Sequence, residues 1–142
     1  MPLRPSSSAL SDAEFLAAFH ACSLPPACFR HADHLRLAWL SVHQQHSLKT
    51  AIDNVRDGIR AYATHLGKPE LYHETITVGW LYLIASHDEP TFEEFLRLNE
   101  NRLNGELLHR FWSPELLQSE TARREWVAPD RMQLPELASG TK

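Results

Sequence analysis

A hydrophobic repeat at steps of three and four, broken at intervals by proline and glycine, limits what this chain can become. It is clearest where Leu48, Ile52, Val55, Ile59, Tyr62 and Leu66 fall on one stripe and Asp53, Arg56, Asp57 and Arg60 fill the other side. A chain with that period buries one face of an α-helix. Ser47 stands where a cap belongs, and Gly67 with Pro69 ends the repeat.

Similar punctuation divides the rest. Ser11 with Glu14 is a capping-box pattern before Phe15, Leu16 and Phe19, and Pro25-Pro26 stops that helix. A second helix is expected from about His31 to His46. Leu35, Ala38, Trp39 and Val42 form its inner stripe, while Leu37 and Leu40 are apolar on the other side. They mark either a central helix or a dimer face. A fourth helix is expected over about 70–86, reading Tyr72, Ile76, Trp80, Leu83 and Ile84, again central. Gly79 inside it costs about 1 kcal/mol relative to alanine, which another helix or a ligand in close approach would justify. Thr91 with Glu94 starts a fifth helix, and Leu103, Leu107, Leu108 and Phe111 suggest a sixth. Ser113-Pro114 reads as an N-cap and first helical residue, and a last short helix falls over about 120–126.

These segments predict an all-α chain, a compact bundle of about five to seven helices with two of them central. One helical domain is expected over 11–130, with residues 1–10 disordered and 131–142 an irregular tail. At 142 residues one domain can hide about two-thirds of its unfolded surface. Only 5 glycines and few β-branched runs favour helix over strand.

Charge and composition exclude whole classes of partner. The net charge is −4 and no face concentrates lysine and arginine, so no nucleic-acid partner is expected. No apolar run nears the ~20 residues that span a bilayer, so no membrane partner is expected either. The start lacks a signal-like apolar region, which points to the cytoplasm, with Cys22 and Cys28 as free thiols.

The chain has 9 histidines. Three stand apart from the rest. His31 and His34 share one helix face that continues into Leu35, Ala38 and Trp39. His73 leads the stripe through Ile76, Thr77, Trp80 and Ile84. Two central helices would thus aim imidazole inward. An unpaired buried polar group costs about 1–3 kcal/mol, and a shared metal ion, zinc or iron, removes that cost. On this reading His31, His34 and His73 are metal ligands. Glu74 is a general base or fourth ligand and Tyr72 assists it. Two duller readings stand beside it: a metal-free polar pocket for a small molecule, and a hydrogen-bonded core network. The function is therefore either a metal-dependent enzyme acting hydrolytically or oxidatively on a small molecule, a binding or sensor module, or a helical interaction protein with structural histidines. Arg36 is expected in a surface ion pair with Asp33. No phosphate-binding glycine loop, Gly-x-Ser-x-Gly elbow or His-Glu-x-x-His motif is present.

The run Phe29-Arg30-His31-Ala32-Asp33-His34-Leu35-Arg36-Leu37-Ala38-Trp39, with Tyr72-His73-Glu74-Thr75-Ile76-Thr77, resembles a family of small, functionally uncharacterised bacterial helical proteins. Ser113-Pro114, Ala122-Arg123 and Pro129-Asp130 carry the likeness onward, so that it spans about Phe15 to Pro135. The resemblance implies an independent all-α domain whose distinctive polar set is His31, His34, Tyr72, His73, Glu74 and Arg123. It implies no particular reaction.

Overall fold

The computed structural model describes residues 10–29, 31–44, 47–99 and 105–136. The expected disorder of 1–10 and the far end of the tail fall almost wholly outside them. Among the described residues the chain is all helical: α1 (Asp12–His20), α2 (His31–Gln44), α3 (Leu48–His65), α4 (Glu74–Ala85), α5 (Phe92–Asn99), α6 (Pro114–Leu117) and α7 (Glu120–Arg124). Three 3₁₀ turns join them, at Pro26–Cys28, Pro69–Leu71 and Gly105–Arg110.

Local chemistry starts the helices where the sequence marks them. Ser11 and Glu14 close a reciprocal capping box, with bonds of 2.9 and 3.1 Å. Ser47, Ser113 and Ser119 each cap the helix that follows. Thr91 Oγ1 accepts from the Glu94 amide at 3.1 Å, while the Glu94 carboxylate turns to Arg97. Gly67, at φ 76°, turns the chain out of α3 through a conformation that disfavours a side chain.

The centre of the molecule is α2, packed between α3 and α4. Leu35, Leu37, Ala38, Trp39, Leu40 and Val42 are all buried, so Leu37 and Leu40 mark a central helix and not a dimer face. The apolar core joins α1 to α5. A second cluster of Leu83, Leu108, Phe111, Trp112 and Leu117 seats the C-terminal third on α4. Gly79 faces Trp112 there: a Cβ at residue 79 would lie 3.0 Å from the indole Cη2. The close approach expected at this glycine is therefore that of a core tryptophan.

The C-terminal segment is laced to α4 by hydrogen bonds. Thr75, fully buried, donates to the Glu125 carbonyl at 2.8 Å and accepts from the Val127 amide at 3.2 Å. Trp112 Nε1 donates to the Val127 carbonyl at 2.9 Å. Asp130 accepts from the Ser113 amide and hydroxyl, both at 2.7 Å. Threonine at position 75 is a weak helix former, but its buried hydroxyl finds both a donor and an acceptor in the part-buried backbone of Glu125 and Val127.

Two expectations need correction. Arg36 pairs with Asp12 at 2.8 Å and donates to the Leu10 carbonyl, tying the start of α1 to α2. The fourth helix begins at Glu74, not near Glu70, because Pro69–Leu71 forms a separate 3₁₀ turn and His73 is extended at φ −134°, ψ 111°. That difference in one residue's backbone decides the fate of the histidine site.

Candidate functional site

His73 is the N-cap of α4. Its Nδ1 accepts from the Ile76 amide at 3.1 Å, the position a serine or aspartate oxygen takes in other caps. With Nδ1 an acceptor, the ring proton resides on Nε2, which donates to the Leu117 carbonyl at 2.7 Å. Both nitrogens of this buried ring are engaged, and neither is free to ligate a metal. His73 thus ties the start of α4 to the end of α6.

The other two histidines sit at the exposed start of α2. His34 lies flat on the Phe29 ring, with centroids 3.9 Å apart. Phe29 packs in turn on Phe19 and Tyr62. One face of the His34 ring is desolvated against this aromatic cluster while the residue as a whole stays exposed; that desolvation, and then the neighbouring charge of His31, lower its pKa. His31 meets the edge of Trp80 at 5.4 Å. Trp80 stands about two helical turns, roughly 10 Å, beyond His73 along α4. The expected convergence of His31, His34 and His73 does not form. No three His, Cys, Asp or Glu side chains among the described residues make a group able to hold a metal ion.

Tyr72 and Glu74 do meet, with a partner that sequence spacing does not reveal. The Arg56 guanidinium, on α3, grips the Glu74 carboxylate: Nε to Oε1 and Oε2 at 3.1 and 3.0 Å, and Nη2 to Oε2 at 2.7 Å. Its Nη1 donates to Asp53 at 2.9 Å. The Tyr72 hydroxyl donates to Glu74 Oε1. Burial alone would push the Glu74 carboxyl up, but hydrogen bonds from Arg56 and Tyr72 and the Arg56 charge hold it below its ordinary value. Burial, and then the Glu74 contact, push the Tyr72 phenol up. The bond to Glu74 raises the Arg56 pKa further. A carboxylate so stabilised is a poor proton acceptor, and a phenol so raised is a poor acid. The network joins α3 to the start of α4, and its chemistry is that of a clamp.

Two openings flank this clamp. One is a shallow apolar groove over Leu48, Ile52, Val78, Tyr82 and Trp126. The other is a pocket of about 430 Å³ between α3, the Pro69–Leu71 turn and α7, where Tyr72 is joined by Arg60, Thr64, Glu70, Arg123 and Arg124. The Arg60 guanidinium lies 5.8 Å from the Tyr72 ring centroid. Arg123 Nη1 donates to the Glu70 carbonyl at 2.9 Å and reaches the Tyr72 carbonyl at 3.4 Å. Of the set that the family resemblance implies, Tyr72 meets both Glu74, through its hydroxyl, and Arg123, through its backbone carbonyl. His73 stands between them as a cap, and His31 and His34 lie elsewhere. Arg56 and Arg60 read as solvent-side residues of α3; only the packing of α3 against the start of α4 brings them to the site.

No protein-family model matches the chain, and neither the curated proteins nor the solved structures hold a match to it.

Proposed function

We propose that this chain is a helical module that binds a small molecule without turning it over. The reading rests on one observation: the polar atoms of Tyr72, His73 and Glu74 are engaged in a helix cap, an interhelical carbonyl bond and an ion pair. A metalloenzyme built on this motif would need the His73 lone pair and a basic Glu74, and both are engaged within the fold. What the motif supports instead is the wall of an open pocket lined by Tyr72 and three arginines, Arg60, Arg123 and Arg124. A few polar groups converging on a concave surface beside aromatic carbon is the usual form of a small-ligand site.

The test is a melting-temperature screen of purified protein against small molecules, run with metal analysis. A saturable rise in melting temperature without product formation supports a binding module. Near-stoichiometric zinc or iron, lost in a His31→Ala/His73→Ala pair, would overturn it in favour of the metalloenzyme. A screen with no response leaves a helical interaction protein with structural histidines.

A further inference from the structure

We infer that the pocket beside Tyr72 binds a small oxyanion, a carboxylate or phosphate group carried on a compact molecule, through Arg60 and Arg123. This rests on the binding-module reading and specifies its ligand. The starting point is how the arginines are partnered. Arg36, Arg56, Arg97 and Arg124 each hold a carboxylate. Arg60 and Arg123, like Arg110 and Arg131, form no ion pair within 4.0 Å with any described residue, although the Arg60 charge is felt by Glu74; what sets the two apart is that both line the same pocket from opposite elements, α3 and α7. Glu120 also lines it but is held by Arg124 at 3.0 Å, and Glu70 is the remaining carboxylate. The wall therefore keeps an excess of positive charge inside a molecule whose net charge is −4.

Geometry adds orientation to that charge. Arg123 is half-buried and its Nη1 is fixed by the two backbone carbonyls, so the guanidinium plane is set before any ligand arrives. Its Nε–H and Nη2 edge makes no bond to a described residue. That edge is the one that meets two oxygens of a carboxylate or phosphate side by side. Arg60, resting over the Tyr72 ring, supplies the second cation, and the Thr64 hydroxyl lies in the same wall. An oxyanion held by the two guanidiniums would gain charge-assisted bonds on a surface already organised. A volume of about 430 Å³ fits a metabolite-sized anion.

The experiment is an NMR titration of the full chain with inorganic phosphate and, separately, with succinate, at constant ionic strength set by chloride. The Arg123 Nε–H resonance is followed directly. Saturable binding that shifts this resonance is expected. Arg60→Gln should weaken it about tenfold or more, and Arg123→Gln, which removes the reporter and is read from the Thr64 backbone amide instead, likewise. Arg110→Gln, an exposed arginine outside the pocket, should leave it unchanged. Should Arg123→Gln disturb the fold through its lost carbonyl bonds, Arg60→Gln decides alone, because that side chain is exposed. Tighter phosphate binding assigns a phosphate ester, and tighter succinate binding a carboxylate. No saturable shift with either up to about 10 mM, or equal affinity in Arg60→Gln, overturns the assignment. If a neutral compound stabilises the protein while both anions fail, the binding module stands without its oxyanion. If an anion binds but is turned over, the oxyanion site stands and the module reading fails.

Discussion

At the scale of single residues, His73 and His34 show how one side-chain type takes opposite roles. His73 replaces a capping serine and also satisfies the Leu117 carbonyl. Removing a cap costs about 1 kcal/mol, and orphaning a buried carbonyl about 1–3 kcal/mol. His73→Ala should therefore lose about 2–4 kcal/mol in urea unfolding. His73→Asn, which restores the cap alone, should recover roughly 1 kcal/mol of it. A chelator should change neither value, and a chelator-sensitive wild type would contradict a purely structural role for His73. His34 makes a different prediction. Its pKa is lowered in the folded chain to about 4 from 6.5, so the unfolded chain takes up the proton first. Its contribution to stability, kept small by the exposure of the residue, is present above pH 6.5 and is lost as pH falls below it toward 4. His34→Leu should flatten that part of the melting-temperature profile, and an unchanged slope would remove His34 as the cause. Glu74 adds a loss at lower pH with the same sign, because its folded pKa is also depressed.

At the scale of helices, what the sequence marks best is where each one starts. Ser11, Ser47 and Ser113 cap the helices that follow them because capping depends on a side chain and an amide three residues on, both local in sequence. Where α4 begins is less legible. Tyr72 and His73 continue an apolar stripe in sequence, but the 3₁₀ turn after Pro69 and the contact with Leu117 hold them extended. Periodicity reports which face a residue would take if it were helical, and it is silent on whether the first turn has formed. The same helix carries Gly79 against the fully buried Trp112. Gly79→Ala gains helix propensity worth about 1 kcal/mol. It also forces a Cβ onto an indole fixed by the Val127 carbonyl, at an overpacking cost of about 1–3 kcal/mol. A net loss near 1 kcal/mol is expected in equilibrium unfolding. A stabilised variant would mean that Trp112 can shift.

At the scale of the whole molecule, the clamp of Arg56, Glu74 and Tyr72 joins α3 to α4 beside the proposed pocket. Glu74 is buried and Arg56 is 30% exposed on its side chain, which places the pair between surface and interior. Glu74→Ala should destabilise by roughly 3 kcal/mol, the low end for breaking a buried pair, because Arg56 keeps water and Asp53. Chemical denaturation measures it, and a loss under about 1 kcal/mol would show the pair behaving as a surface salt bridge. The candidate site was legible in part. Tyr72, His73 and Glu74 stand out in the sequence as a polar run entering an apolar helix. Arg56 and Arg60 do not, because on α3 alone they are ordinary solvent-side charges.

The all-helical class, the caps and the burial of α2 are written in the order of residues alone, since helical period and capping are set by neighbours within four positions. Which polar atoms are satisfied was settled by packing in three dimensions, because the partners of His73 and Glu74 lie 44 and 18 residues away. An imidazole on an apolar stripe must find a partner somewhere. Whether that partner is a metal ion or a backbone carbonyl depends on which distant segment packs beside it.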